Sequence, residues 1–211
     1  EPEQWPDEWH RQTLNQVLFE STHADSVGGV RVYTRAGEGW TRADTLSASD
    51  AAARAQFGTD AASDGRLLMV CARGRGQRRS RNVGDAPPVP GGVYLFRRLN
   101  GRWVETDKLL EGNCRNVDLS DRWVAATVDQ RVYLFERSNG NVLRQRSVAP
   151  PDYAANAAQF EWFGADLAVS GDWLAVGNTS ANQQTGDGDA PSLWGTVDMF
   201  RFAEDEWRWH G

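Results

Sequence analysis

Apolar residues along this chain occur in short runs separated by turns that contain Gly, Asp or Ser, and this pattern predicts β-strands rather than helices. The clearest example is FGADLAVSGDWLAVG at 163–177. It predicts one strand at 165–169, a tight turn at 170–172 and a second strand at 173–177. The stretch therefore predicts a β-hairpin.

This hairpin sequence is repeated in the chain. Residues 57–71 align with it without a gap, and residues 113–127 form a more divergent third copy. A second unit, in which an aromatic residue precedes a Trp at a fixed separation, follows each of the three hairpin copies and occurs once before them. Its four copies lie at 30–40, 93–103, 132–142 and 197–207, and the third has Val142 in place of the Trp. Internal repetition of this kind is typical of repeat proteins.

Together the two units make a module of four strands that recurs at a spacing of roughly 50 residues, which is typical of propeller blades. The predicted fold class is all-β: a β-propeller of about four blades, each a four-stranded antiparallel sheet. We expect blades at roughly 10–46, 57–109, 114–148 and 163–209. They would form a single domain at 16–211, preceded by an N-terminal arm and first strand at 1–15. We expect the four blades to close by themselves; the alternative is that they belong to a larger ring.

The repeats resemble the FG-GAP family, which occurs in integrin α-chains and in many secreted bacterial proteins. The resemblance rests on Phe57-Gly58, on Phe163-Gly164, on the strand at 174–177 and on GVYLFRR at 92–98, and it extends over nearly all of 16–209. It implies a propeller fold and a periplasmic or secreted location. Integrin-type repeats hold calcium in an acidic loop between the first two strands. The corresponding turns here, at 64–66 and 170–172, are too short to surround a Ca²⁺ ion, so we expect no metal there.

The charge and the hydropathy of the chain narrow the function classes. The net charge of −6 argues against nucleic acid and anionic membranes as main partners. No apolar run is long enough to form a transmembrane segment. The chain begins at Glu1 rather than Met, from which we expect that a signal peptide, a tag or a longer N-terminus was removed.

The sequence contains no recognisable catalytic constellation. His10, His23 and His210 lie in no nucleophile or metal-ligand motif, and phosphate-loop, nucleophile-elbow and zinc-protease motifs are absent. Asp60 and Asp166 recur with the repeat, which favours a role in turns or blade contacts over acid–base catalysis. We therefore expect no enzymatic activity, no catalytic residues and no cofactor.

The connection from the second to the third strand varies most in length, and such loops commonly carry recognition. It is long at 72–90 and at 178–194 but short at 128–131. The first long loop carries a basic sequence, and the second contains Trp194. The candidate partner-binding residues are Arg73, Arg75, Arg78, Arg79, Arg81 and Trp194. The arginine run has three interpretations: a solvated loop, a contact for an acidic protein, or a nucleic-acid contact, which the lack of interleaved aromatics disfavours.

Residues 185–189 (TGDGD) could offer oxygens to Ca²⁺, but a simple Gly/Asp turn is the better interpretation.

Tryptophan is abundant, with ten residues. Five of them occupy repeat positions, which predicts packing between blades: Trp40, Trp103, Trp123, Trp173 and Trp207. The others could form aromatic platforms for sugars or anchor a partner: Trp5, Trp9, Trp162, Trp194 and Trp209.

The only cysteines, Cys71 and Cys114, replace glycines at repeat positions near one end of neighbouring blades. Two outcomes are open. The thiols face each other and form a disulfide, which would indicate an oxidising compartment, or they are separate and buried because their Cα atoms are too far apart.

The leading functional hypothesis is a non-enzymatic protein-interaction module. It would be an accessory or scaffold subunit of a larger extracytoplasmic assembly, which could be a multi-subunit or membrane-associated complex, with protein partners and without nucleic acid. The alternative is a carbohydrate-binding, lectin-like propeller, and an enzyme is the third hypothesis.

Overall fold

The computed structural model describes residues 9–14, 17–22, 27–74, 89–138, 141–151, 163–182 and 193–211. Side chains are described at these positions except in 9–22 and at 36, 143–145, 180–182 and 193–194. Within these residues all regular secondary structure is β-strand, in four four-stranded sheets. The predicted fold class, all-β with about four blades that are each a four-stranded antiparallel sheet, is confirmed.

The sixteen strands of the described residues fall into the four sheets in chain order. The first sheet contains β1 (Trp9–Leu14), β2 (Val17–Thr22), β3 (Val30–Ala36) and β4 (Gly39–Leu46). The second contains β5 (Phe57–Ser63), β6 (Leu67–Ala72), β7 (Gly92–Leu99) and β8 (Arg102–Glu111). The third contains β9 (Cys114–Leu119), β10 (Trp123–Val128), β11 (Arg131–Ser138) and β12 (Asn141–Val148). The fourth contains β13 (Phe163–Ser170), β14 (Trp173–Asn182), β15 (Leu193–Ala203) and β16 (Glu206–Trp209).

In every sheet the strands lie side by side in sequence order, so that each strand pairs with the next one in the chain. Consecutive antiparallel strands need only short connections, and sequence neighbours commonly become spatial neighbours. The first sheet has its full four strands because β1 pairs with β2 in register from Trp9↔Thr22 to Leu14↔Val17. The sequence predicted a first strand within 1–15.

The chain forms two compact units, Glu1–Val117 and Asp118–Gly211. Each unit contains one apolar core. The core of the first unit includes Val30, Val32, Leu46, Phe57, Leu68, Val70, Tyr94, Phe96 and Trp103. The core of the second unit includes Trp123, Leu134, Phe163, Leu167, Leu174, Val176, Phe200 and Phe202, with Trp207 packed against it. The assignment of 16–211 to a single domain stays a prediction, as does the closure of the blades.

The repeated Phe-Gly pair has a packing reason. Phe57 and Phe163 are both completely buried. The glycine that follows Phe163 has φ +77°, and a Cβ there would lie 2.6 Å from the side chain of Thr127 on β10. A residue with a side chain would therefore suffer both backbone strain and a clash. The pairing register of the strand shifts after both phenylalanines, so the two copies share the same irregularity.

The second strands of the sheets differ in how completely they are buried. Every residue of β6 and of β10 is buried, which means that both faces of these strands are covered. In β14, buried residues alternate with exposed or half-buried ones from Trp173 to Asn178. One face of β14 is therefore covered, and the residues of its other face are exposed or half-buried.

This difference corrects the prediction for two of the five repeat tryptophans. Trp103 and Trp123 are buried and Trp207 packs against the core, as predicted. Trp40 and Trp173 are each 39% exposed. A repeat position determines which face of a sheet a side chain joins, but the side chain is buried only if another sheet covers that face.

The two cysteines form a disulfide bond between β6 and β9. Cys71 and Cys114 are both fully buried, and their Cα atoms are 5.3 Å apart, within the range that a disulfide spans. Of the two outcomes that the sequence left open, the structure contains the bridge. It closes a loop with a sequence separation of 43 residues.

Removing the disulfide should lower the free energy of unfolding by about 2–4 kcal/mol, because a cross-link restricts the unfolded chain. The variant is Cys71→Ala/Cys114→Ala, measured by urea denaturation beside the wild type with and without reductant. We expect reduction to lower the wild-type stability to that of the variant. Two alkylatable thiols in the denatured, unreduced wild type would contradict the bridge.

Candidate partner-binding surface

The candidate surface consists of the connections from the second to the third strand of each sheet. The connection is residues 73–91 in the second sheet and 183–192 in the fourth, but only 129–130 in the third. Each of them leaves its sheet at the equivalent end, because the strand order is the same in all sheets. The scaffold strands stay constant while these segments differ, as the sequence predicted.

The base of the arginine-containing connection is held tightly by backbone contacts. A Cβ on Gly74, which has φ +58°, would lie 2.7 Å from the backbone of Gly91. A Cβ on Gly91 would lie 2.6 Å from the carbonyl oxygen of Gly112. The Gly74 N–H donates to the Ala55 carbonyl at 2.9 Å, and the Gly112 N–H donates to the Gly91 carbonyl at 3.3 Å. The two ends of the connection therefore meet at one fixed point on the sheet.

Only one of the five candidate arginines is described. Arg73 is exposed and lies between the bridged Cys71 and the constrained Gly74. The remaining candidates of this connection lie outside the described residues: Arg75, Arg78, Arg79 and Arg81. The acidic segment at 185–189 lies outside them as well. The structure therefore defines where the basic segment begins and ends.

The prediction that Trp194 lies in a loop is wrong. Trp194 is part of β15 and pairs with Ala181 of β14, and the next pair is Asn182↔Leu193. The ladder continues past a register shift between Asn178 and Ala181, which lengthens both strands and shortens the connection to 183–192. The backbone of Trp194 is thus fixed in the sheet, and its side chain lies outside the described part of the chain.

Two aspartates, Asp60 and Asp118, connect first strands of successive sheets, as the repeat predicted for Asp60. Asp60 on β5 accepts the Ala61 N–H with one oxygen and the Val117 N–H of β9 with the other, both at 2.9 Å. Asp118 on β9 accepts the Val169 N–H of β13 at 2.7 Å and also bonds the Leu119 N–H. Burial raises the pKa of Asp118, and the two N–H groups partly offset this. These carboxylates serve as hydrogen-bond acceptors between strands.

The three histidines lie in different parts of the chain. His10 lies on β1, His23 lies outside the described residues, and His210 is exposed, with its ring 5.2 Å from that of Trp173. The described residues contain no group of three or more His, Cys, Asp and Glu that could hold a metal ion. They also contain no helix that could span a membrane.

A hydrogen-bonded cluster that the sequence did not predict joins Asp50, Tyr94 and Lys108 in the first unit. The Tyr94 hydroxyl donates to Asp50 Oδ1 at 2.6 Å, and Lys108 Nζ donates to Asp50 Oδ2 at 2.7 Å. Lys108 Nζ also lies 4.9 Å from the centre of the Tyr94 ring. Asp50 belongs to the connection between β4 and β5, so the cluster fastens this connection to β7 and β8.

The pKa values of the three groups define their charges. Burial, and then the hydrogen bond to Asp50, raise the pKa of Tyr94 to about 12. Burial opposes ionisation of Asp50 and Lys108, but the hydrogen bonds outweigh it, so the pKa of Asp50 is lowered and that of Lys108 is raised. Near neutral pH the cluster therefore holds a carboxylate, an ammonium and a neutral phenol. None of these is an activated nucleophile, because that would need a lowered Lys or Tyr pKa.

The connection between β4 and β5 has a second anchor beside this cluster. The backbone N–H of Ser49 donates to Glu105 Oε2 at 2.8 Å, and its hydroxyl donates to Glu105 Oε1 at 2.6 Å. The one feature of the sequence that could have pointed to this cluster is Lys108, because it is the only lysine in the chain. Its partner is far away in sequence, so no local pattern could pair them.

The chain is similar to the solved WD40 domain of Neurospora crassa Pan2, with a TM-score of 0.37 and 11% sequence identity, over 92% of this chain and 61% of that one. The chain thus spans about three fifths of the length of that domain. No protein-family model and no curated protein matches the chain. The sheets and the strand order of the chain itself carry the fold assignment.

The Asp50–Tyr94–Lys108 cluster should make the first unit sensitive to alkali. A folded-state pKa raised above the unfolded value of 10.0 gives stability that is complete below pH 10 and is lost as the pH rises towards about 12. Lys108 acts in the same direction. Tyr94→Phe should cost about 1 kcal/mol at pH 7 and weaken the loss of stability between pH 10 and 12.

The measurement is urea denaturation as a function of pH. Tyr133→Phe, at a half-buried tyrosine of the second unit, is the matched control and should follow the wild type. If Tyr94→Phe and the wild type lose stability in parallel above pH 10, the cluster has no such role.

Proposed function

We propose that the chain is a non-enzymatic protein-interaction module of FG-GAP-like propeller repeats. It acts as an accessory or scaffold subunit of a larger extracytoplasmic assembly. The observation that carries this proposal is the basic connection at 73–91, whose two ends are held together at Gly74 and Gly91 on a disulfide-linked sheet. A recognition segment on such a fixed base loses less conformational entropy on binding than one on a mobile base.

The charge of this segment indicates what kind of partner it would bind. Five arginines occur at 73–81 without an acidic residue, while the chain as a whole carries a net charge of −6. A local basic patch on an acidic protein attracts an acidic surface and orients it during approach. An acidic protein surface is therefore the proposed partner chemistry.

The proposed compartment rests on the disulfide and on the repeat sequence. Disulfides persist mainly in oxidising compartments such as the periplasm and the extracellular space. Both cysteines are fully buried in the bridge. The Phe-Gly element, for which the structure supplies a packing reason at Gly164, supports kinship with the FG-GAP repeats of secreted proteins.

A carbohydrate-binding function is the second candidate, and Trp209 is the residue that favours it. Its side chain is 47% exposed, and its indole N–H donates to Asp198 Oδ1 at 2.9 Å, which fixes the ring orientation. An exposed, oriented indole ring can stack on the apolar face of a sugar. Of the five tryptophans that the repeat left unassigned, this is the one whose side chain is described.

The test uses an array of acidic peptides and an array of glycans, probed at low and high salt. Arg78→Glu/Arg79→Glu should weaken acidic-peptide binding by about tenfold or more and flatten its salt dependence, because exposed charges act through screened attraction. Arg42→Glu/Arg102→Glu changes the charge equally at two exposed strand positions and should bind like the wild type.

Equal peptide binding by both double variants at both salt concentrations would contradict the proposal. Glycan binding that is lost in Trp209→Ala would favour the second candidate instead.

A further inference from the structure

Two tryptophans at equivalent repeat positions have different surroundings. Trp123 begins β10 and is fully buried, with its ring centre 4.7 Å from that of Phe202 and 5.1 Å from that of Trp207 in the following sheet. Trp173 begins β14 at the same repeat position and is 39% exposed. Its ring and cation contacts among the described residues are with His210 and Arg201 of its own sheet. The described ring and cation contacts of Trp173 thus come from its own unit, whereas Trp123 packs on the sheet that follows it.

The first sheet has the complementary feature. Trp40 occupies the repeat position of Trp103 and Trp207, and each of those two residues packs into a core shared with the preceding sheet. Trp40 is instead 39% exposed. By the repeat, Trp40 is thus the residue that would cover Trp173, as Trp207 covers Trp123.

The open face of the fourth sheet is apolar beyond Trp173. Val197 on β15 is 61% exposed, whereas Val93, at the same repeat position on β7, is completely buried. Met199 is half-buried, whereas its equivalent Leu95 is buried. Side chains that are buried in the second sheet therefore have exposed or half-buried counterparts in the fourth.

The repeat partner of Asp60 lies at this same face. Asp60, at the repeat position of Asp166, accepts the Ala61 N–H with one oxygen and the Val117 N–H of the following sheet with the other. Asp118, two residues beyond that position in the third copy, also accepts an N–H from the following sheet. Asp166 on β13 is exposed, and its Oδ1 accepts the Leu167 N–H at 2.9 Å. Among the described residues Asp166 makes no second hydrogen bond of the kind that Asp60 and Asp118 make. By the repeat with Asp60, the Asp166 Oδ2 is the atom that would accept an N–H from the first strand of one more sheet.

We propose that the chain associates with a second copy of itself, head to tail. The open face of the fourth sheet, with Asp166, Trp173 and Val197, binds the first sheet of the second copy, and Trp40 of that copy packs on Trp173. The repeat spacing places Arg11 of β1 at the position of Val117, so its backbone N–H is the donor to Asp166.

The occupant is a second copy because the repeat specifies both halves of the junction, and Trp40 in one half and Trp173 in the other are each exposed. Forming the junction twice gives a closed dimer of eight sheets, within the range of four to eight blades that is typical of propellers. A head-to-tail contact that closes leaves no free surface of this kind. This inference is independent of the proposed binding of acidic partners.

The first test is light scattering during size-exclusion chromatography over a wide concentration range. The wild type should be a dimer, and Val197→Arg should be a monomer because a buried, unpaired charge disrupts the junction. Val104→Arg, at another exposed strand valine, is the matched control and should stay dimeric. Asp166→Ala should raise the dimer dissociation constant by about tenfold, and Asp121→Ala, at an exposed turn, should leave it unchanged.

The second test separates head-to-tail association from a symmetric contact of two identical faces. Trp40→Arg and Val197→Arg should each be monomeric alone, and an equimolar mixture should form a heterodimer through the one intact junction. A symmetric contact of the fourth sheets would instead leave Trp40→Arg dimeric, which would overturn the proposal. A wild type that is monomeric at every concentration would overturn it too, whether Trp173 is then exposed or covered by the chain's own first sheet.

Discussion

A four-stranded sheet with apolar side chains on both faces cannot bury them alone, and in this chain each sheet depends on a neighbouring sheet for that burial. In the first unit, Val30 and Val32 of the first sheet pack with Leu68 and Phe96 of the second. In the second unit, Trp123 packs with Phe202 of the fourth sheet. At about 25 cal/mol per Å² of apolar surface, such contacts dominate the favourable free energy of folding. Hydrogen bonds of Asp60 and Asp118 then set the first strands in register with each other.

This division of roles explains where the sequence is constrained and where it is free. The strands must present apolar residues on both faces, and the Phe-Gly element must fit a close approach such as that of Gly164 to Thr127. The connections between second and third strands differ in length and charge while the strands around them recur. The base of the arginine-containing segment is constrained, because Gly74 and Gly91 approach each other there with no room for a side chain.

Most of the fold was predictable from the sequence because the repeat units encode strand periodicity directly. The two Phe-Gly hairpins and the aromatic-to-Trp units gave the strand order, and the repeat suggested that Asp60 contacts another blade.

The exposure of Trp173 was not predictable, since the repeat encodes the face of a residue but not the presence of a neighbour. The Asp50–Lys108 pair depends on a contact between distant residues, for which a single sequence holds no signal. Trp194 was misassigned because Gly, Asn and Ser near it are typical of loops, whereas backbone pairing with Ala181 extends the strand.

Native-state hydrogen exchange in the Val197→Arg variant would test most directly whether burial against a neighbouring sheet determines stability, because self-association cannot contribute there. Both β10 and β14 are central strands with hydrogen-bonded neighbours on each side, but only β10 is covered on both faces. Amides of β14 should exchange at least about tenfold faster than those of β10, since local stability follows the burial of apolar contacts. Equal or slower exchange in β14 would contradict the account.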